Sequence, residues 1–459
     1  MRPPHSRSWA GAGGQPGTRG DRVHPLGSVA VRVVAALVGL LSLWAGEAAR
    51  AAGPDVGAVA VARSVDRGPV AVPAATPEAI RYHRTGLWLW FVGRAWSLGV
   101  PSLILFAGLS ARIRRIAAGA GRPWLIVVAT YAVIYLAAEF ALQLPLRYYA
   151  GFVRPHEYGL STQSFGRWLG DAFKGLAVEM VGGVLFLWVP YWLMARSPRR
   201  WWLYTGLLTL PFAGFSALIA PVWIDPLFNR FGPMQDRRLE AKIDALARRA
   251  GIDGGKIFEV DKSRDTRTVN AYVTGLWGTK RIVLWDTLLA GHDDDEVLAV
   301  LGHEMGHYAL NHVALGLTLS SLATIAGLYA VHRASRPLIR RFGRRFGFDR
   351  IEDVASVPLL MVLIQGLVLL VAPASHALGR WMEHEADRFG LEVTRDNHAA
   401  ASSFAKMQGD NLSLPYPDAF TRVWRSTHPP LGERIEFCNE YRPWESGRPT
   451  RYGHLFRDP

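Results

Sequence analysis

Cysteine is all but absent: Cys438 stands alone in 459 residues. One thiol excludes any intrachain disulfide and any cysteine-based zinc cluster, and it reads as a small apolar packing residue. Acidic residues are also in short supply, 38 Asp and Glu against 52 Lys and Arg, which leaves a net charge of +14. In a soluble protein that excess would point to nucleic acid. Here lysine is scarce and the arginines sit in short loops beside apolar runs, the distribution that sets membrane topology, so nucleic acid is excluded as a partner. No internal repeat is apparent. What the chain does have is 50% hydrophobic residues and 17 Trp. That composition suits a membrane protein, and the length exceeds one simple domain.

The chain divides by composition. Residues 1–53 form a disordered basic start, rich in Gly, Pro and Arg, followed by an apolar run from Val33 to Gly46 and the small-residue exit Ala49-Arg50-Ala51. This is a signal peptide or, with Val29 to Val31 added across Arg32, a retained membrane anchor. Residues 54–85 read as an extramembrane segment. Residues 86–223 carry four apolar stretches: Gly86 to Ser110, Pro123 to Pro145, Ala172 to Ala195 and Trp201 to Trp223. Residues 313–378 carry two more, Val313 to Val331 and Val357 to Leu378, with a basic loop between them. Each is long enough to cross a bilayer as a helix. Arg94, Glu139 and Glu179 fall within spans, where an internal Arg–carboxylate pair or a polar cavity would accommodate them. The expected fold is therefore mainly α, a polytopic bundle of six or seven spans.

Between the two sets of spans, residues 224–312 have the composition of a soluble domain. Leu239, Ile243 and Leu246 give a helical stripe that Gly251 is placed to end. The stretches KIFEV, TRTVNAYVTG and KRIVLW read as three strands. Asp293, Asp294 and Asp295 then suit a helix N-terminus.

That helix carries EVLAVLGHEMGHYALNH, from Glu296 to His312. His303 and His307 are one turn apart and point the same way, so two imidazoles can take two corners of a tetrahedral zinc site. Glu304 is placed to act as general base toward a water whose pKa the metal lowers. Catalytic zinc needs a third protein ligand and an open position. The stretch WMEHEADRFG, in residues 379–459, supplies Glu383 as that ligand, with Asp387 one turn on to hold a ligand imidazole from behind. His384 and Glu385 are rival ligands that point to other faces of that helix. A single Zn2+ per chain is the cofactor this ligand set suits.

With these residues in view, the sequence resembles the type I CAAX prenyl endopeptidase family, membrane zinc metallopeptidases of the gluzincin kind. The family's zinc helix matches His303 to His307, and its Glu-x-x-x-Asp pattern falls on Glu383 and Asp387. Its Asn-Ala-Tyr strand matches Asn270, Ala271 and Tyr272, and its His-Pro-Pro stretch with a following Arg matches His428-Pro429-Pro430 and Arg434. The segment Lys406 to Asp418 is also similar, and the likeness runs from Tyr82 to Phe437, including the order of spans. The resemblance implies a gluzincin peptidase domain with a small β-sheet. It implies that the Asn270 to Gly275 strand binds an extended peptide by β-augmentation. It also implies that His428 and Arg434 stabilise the oxyanion of the tetrahedral intermediate. The substrates would be peptides or membrane proteins, some of them lipid-modified, met at the lipid bilayer.

Charge sets the orientation expected. Arg112, Arg114, Arg115 and Arg122 join the first two long spans; Arg196, Arg199 and Arg200 join the next two; and Arg336, Arg340, Arg341, Arg344, Arg345 and Arg350 join the last two. Short basic loops stay cytoplasmic. Alternating spans then put the zinc domain outside, in a bacterial cytoplasmic (inner) membrane. The eukaryotic branch of the family works toward the cytosol, so resemblance and charge disagree on this point. Two rival readings share the composition: a quality-control membrane protease of the heat-shock type, which has fewer spans, and a non-enzymatic transporter or scaffold, which has no need of Glu304.

Overall fold

The computed structural model describes residues 67–252, 254–275 and 281–457, all of which fall in one unit, Ala58–Pro459. The expected signal peptide or anchor, and the start of the segment after it, lie outside the described residues. Among the described residues, six helical stretches are long and apolar enough to cross a membrane. The chain begins with an extended stretch tied to the C-terminal region, where Val70 and Asn439 exchange two hydrogen bonds of 2.9 Å. Thr76 then caps helix α1 (Pro77–Phe106) by accepting from Ala79 N. There follow α2 (Leu109–Ala118), α3 (Trp124–Tyr148), α4 (Phe165–Phe186), α5 (Trp188–Arg196) and α6 (Trp201–Ile219).

The soluble insert comes next: β1 (Phe231–Pro233), α7 (Arg237–Arg249), β2 (Lys256–Val260), β3 (Ala271–Thr274), β4 (Arg281–Trp285) and α8 (Asp294–Ala309). The sheet order is β1-β2-β4-β3, with β2 and β4 parallel and both outer pairs antiparallel. Ala271, Ile282 and Leu284 pack against Val297, Val300, Leu301 and Met305 of α8, while Leu239, Ile243 and Leu246 bring the apolar stripe of α7 to the same core. Gly251, at φ 76°, takes the left-handed position just past α7. Asp293 caps α8 in a reciprocal box: its side chain accepts from Glu296 N, and the Glu296 carboxylate accepts from Asp293 N.

Two long helices then leave and return. α9 (His312–Phe346) has 35 residues and α10 (Val357–Thr394) has 38. At a rise of about 1.5 Å per residue each reaches roughly 50 Å or more, well beyond a ~30 Å hydrocarbon core. α9 starts, and α10 ends, beside α8. Helices α11 (Asn397–Asp410), α12 (Ala419–Trp424) and α13 (Leu431–Glu440) close the soluble part.

At the opposite end of α9 and α10, the arginine-rich connections gather. Arg114 pairs with Asp353 and donates to Gly347 O, Ser110 Oγ donates to Ala355 O, and the Tyr191 hydroxyl lies 2.8 Å from Ser356 Oγ. Several expectations need revision here. The last span and the helix bearing Glu383 are one continuous helix. Most of the basic connection from Arg336 to Arg345 is helical, inside α9. Arg94 and the two glutamates do not pair: Arg94 lies over the Trp90 ring, and Glu139 accepts from Gln143. The segment from Thr266 to Asn270 is irregular, because Thr266 Oγ1 accepts from Thr268 N and turns the chain.

Candidate metal centre

Close helix packing builds the site. α8 crosses α10 where glycines face each other: a Cβ on Gly390 would lie 2.9 Å from His303 N, and one on Gly306 would lie 3.1 Å from Ala386 Cα. Only because both lack side chains does His303 reach Asp387, its Nδ1 2.8 Å from Oδ1. Asp387 is 1% exposed, and Arg434 of α13 holds it by two bonds, Nη2 to Oδ1 at 2.6 Å and Nε to Oδ2 at 2.9 Å. With the Nδ1 proton of His303 donated to this anchored carboxylate, the Nε2 lone pair faces forward.

In front, three donors converge. The Nε2 atoms of His303 and His307 are 3.2 Å apart, and each lies 3.3 Å from a Glu383 carboxylate oxygen, Oε2 for His303 and Oε1 for His307. Glu383 Oε2 is buried with no hydrogen-bond partner. A tetrahedral ion with bonds of ~2.0–2.1 Å spaces its ligands about 3.3 Å apart, close to the 3.2 Å between the two imidazole nitrogens and the 3.3 Å from each of them to a Glu383 oxygen, a different one for each ring. The donor set fits the metal on chemistry too, since two facing imidazole nitrogens and an unpartnered carboxylate oxygen are all satisfied by one cation. Burial opposes a charged His303, but the carboxylates of Asp387 and Glu383 outweigh it and raise the metal-free imidazole to about 10. A cation entering the site therefore displaces a proton.

Other groups surround this triangle. Glu304 follows His303 directly. Burial, partly offset by His303 and His307, holds its carboxyl above the usual range, in the direction a general base at neutral pH requires. His428 Nε2 is 3.3 Å from Glu383 Oε1, and its side chain is 58% exposed, so it stands on the open side. Arg434 is buried behind, its guanidinium 3.9 Å from the Phe404 ring centroid. His384 and Glu385 turn away, to Arg388 and Tyr452. Ala271 and Tyr272 lie in β3, with Asn270 just before it; β3 packs on α8 and, among the described residues, pairs with β4 alone, at the edge of the sheet. One residue went unassigned by sequence reasoning: His312, whose Nδ1 lies 3.1 Å from His307 Nδ1 and fixes that ring from behind. It gets there because Asn311 adopts φ 55° and folds the chain back between α8 and α9.

A membrane-spanning bundle with a His-His-Glu site on glycine-packed helices defines a polytopic membrane metallopeptidase. Residues 233–442 match the model of peptidase family M48, and residues 73–230 match the model described as the CAAX prenyl protease N-terminal region, five membrane helices. The chain is 36% identical over 369 residues to "Uncharacterized metalloprotease YhfN" of Bacillus subtilis (strain 168), covering 80% of this chain and 86% of that one. It is 30% identical to CAAX prenyl protease 1 of Saccharomyces cerevisiae, over 64% of this chain and 68% of the relative. The fold is similar to the crystal structure of S. mikatae Ste24p, with a TM-score of 0.68 at 25% identity, covering 78% of this chain and 87% of that one. The chain belongs to the M48 / CAAX prenyl protease family of membrane metalloproteases. As a peptide-bond hydrolase by family, it is not a metal-stabilised scaffold.

Proposed function

We propose that this metalloprotease is a zinc-dependent endopeptidase with Glu304 as general base, and that residues 224–312 and 379–459 are the two halves of its peptidase domain. The observation that carries this reading is the convergence of His303, His307 and Glu383, whose closest donor atoms lie 3.2 to 3.3 Å apart, with Glu304 next to His303 in the chain. A zinc ion held there would supply Lewis acidity toward a water and the scissile carbonyl. Glu304 takes the water's proton and delivers it to the leaving amine. His428, exposed on the open side, donates to the developing oxyanion. Arg434 keeps Asp387, and through it His303, in place, and its charge adds to the field on that oxyanion. The sheet edge at Asn270, Ala271 and Tyr272 pairs with the extended substrate.

Substrates on this reading are peptides or membrane proteins presented at the bilayer. The prenyl protease relatives support lipid-modified peptides among them. The number of spans favours this reading over a quality-control protease of the heat-shock type. The gathering of three arginine-rich connections at the end of the bundle away from the metal supports a catalytic domain outside a bacterial cytoplasmic membrane. The test is metal content and peptidase activity of the detergent-purified protein beside His303→Ala and Glu383→Gln. The parent should hold about one zinc and cleave peptides, and both variants should lose both properties. Cleavage by either metal-free variant would refute the assignment.

A further inference from the structure

Residues 67–76, ahead of the first span, are held as a bound peptide is held. The segment is extended, and its exposure alternates: Gly68, Val70 and Val72 are partly buried, whereas Arg67, Pro69 and Ala71 are exposed. Among the described residues no strand pairs with it. Side chains of α11 and α13 take a strand's place. Asn439 of α13 makes two bonds to one residue, its Oδ1 accepting from Val70 N and its Nδ2 donating to Val70 O, each at 2.9 Å. From α11, Gln408 Nε2 donates to Pro73 O at 2.8 Å, and His398 Nδ1 lies 2.9 Å from Gly68 O. The spacings agree: α11 rises about 15 Å from His398 to Gln408, and an extended chain covers about 17 Å from Gly68 to Pro73. Every one of these bonds reads a main-chain group. Val70 and Val72 add the apolar grip, packed against the cluster of Ala299, Leu391, Phe404, Ile435 and Cys438. The same two helices hold Arg434: α13 carries it, and Phe404 of α11 lies under its guanidinium at 3.9 Å. Residues 67–72 precede the stretch that matches the family's N-terminal model.

We propose that the groove between α11 and α13 is a binding site for an extended peptide, filled by the chain's own residues 67–76, and that filling it sets the affinity of the metal centre. This rests on the zinc reading above. The route to the metal is short. Bonded to both helices, the segment fixes how α13 lies on α11. That arrangement seats Arg434 on Asp387, through bonds of 2.6 and 2.9 Å, and Asp387 orients His303. An empty groove strips apolar cover from the cluster behind Arg434, and a close-packed interior passes the resulting shift along. Loss of the partner that orients a ligand imidazole lowers metal affinity about 10–100-fold, and loosening it from behind acts in the same direction. Residues 67–76 are thus a positioning element for the metal centre, and they touch neither the metal ligands nor the sheet edge at β3.

Zinc affinity is measured on the full-length protein in a neutral detergent, by competition with a chelating dye. Hydrogen exchange of residues 67–76 is followed by mass spectrometry on the same samples. Val72→Asp sets a carboxylate against the apolar cluster, and Asn439→Ala removes both bonds to Val70. Each should open the segment to exchange and weaken zinc binding about tenfold or more. Ala71→Asp, on the exposed face, should change neither. A synthetic peptide of residues 67–76, added in excess, should restore most of the lost affinity to Val72→Asp and fail on Asn439→Ala, which has lost the reading side chain. Should Val72→Asp not fold, Asn439→Ala, which keeps both valines, decides the matter. Parental zinc affinity in a variant whose segment exchanges freely overturns the proposal, even where the zinc-free protein unfolds at a lower temperature, because the segment then only adds stability. So does a segment that stays protected in both variants, an equal loss of affinity in Ala71→Asp, or a folded Val72→Asp that the peptide does not rescue. A folded parent that binds no zinc refutes the zinc reading itself, whereas zinc binding indifferent to the segment refutes this proposal alone.

Discussion

Replacing Gly390 by alanine tests how the metal centre is built. The added Cβ would sit 2.9 Å from His303 N and 3.1 Å from His303 Cα. Ordinary contacts to carbon begin near 3.5 Å, so α8 and α10 must part locally by about 0.5 Å. These neighbours are backbone atoms inside a helix and cannot rotate aside. Overpacking of this kind costs about 1–3 kcal/mol. The same displacement acts on the His303–Asp387 bond, now 2.8 Å, and carries it past the ~3.2 Å limit of a good hydrogen bond. Losing the partner that orients a ligand imidazole lowers metal affinity about 10–100-fold. Zinc competition against a chelating dye reads the affinity, and thermal unfolding reads the stability. Gly366, on the same helix with nothing within 4 Å of its Cβ position, is the control. Gly366→Ala should leave zinc affinity unchanged. Wild-type zinc affinity and stability in Gly390→Ala would refute the argument that glycine contact sets the ligand geometry.

Three further outcomes follow from the same geometry. Arg434→Met leaves Asp387 buried without its cation, and removing one partner of such a pair should cost about 3–5 kcal/mol and weaken zinc binding, read by thermal unfolding at matched zinc. Glu296 titrates with a definite sign. Burial alone would raise its pKa, but Lys406 Nζ at 2.6 Å and Ser402 Oγ at 2.6 Å hold it below the ordinary value. Its contribution is therefore present at neutral pH and is lost as pH falls below the usual carboxylate range toward the folded pKa. The unfolding midpoint of Glu296→Gln should change less between pH 7 and about 3 than that of the wild type, and equal changes would contradict this. A reporter enzyme active only outside the cytoplasm, fused after Pro459, should be active; an expressed but inactive fusion would reverse the orientation.

Much of this was legible because helical spacing is a local property. His303 and His307, four apart, and Glu383 and Asp387, four apart, had to share helix faces, and Asp293, Asp294 and Asp295 marked the helix start, which the structure places at Asp294. The strand KIFEV was readable from alternation and matches β2 residue for residue. What failed to show depended on contacts distant in sequence or on strained backbone. His312 approaches His307 only through the left-handed Asn311, a conformation no pattern announces. β1 is three residues long and contains a glycine and a proline, so only its pairing with β2 makes it a strand. The continuity of α10 was hidden by the change from apolar to charged composition near Arg380. A helix that leaves the bilayer changes its surroundings without changing its hydrogen bonding.

The most direct test of the central claim is Glu304→Gln, with bound zinc and peptidase activity measured on the same preparation. Glu304 is not one of the three converging donors, so the account predicts about one zinc per chain in both proteins and cleavage by the wild type alone. Cleavage by Glu304→Gln at the wild-type rate, or a folded wild type that binds no zinc, would contradict it.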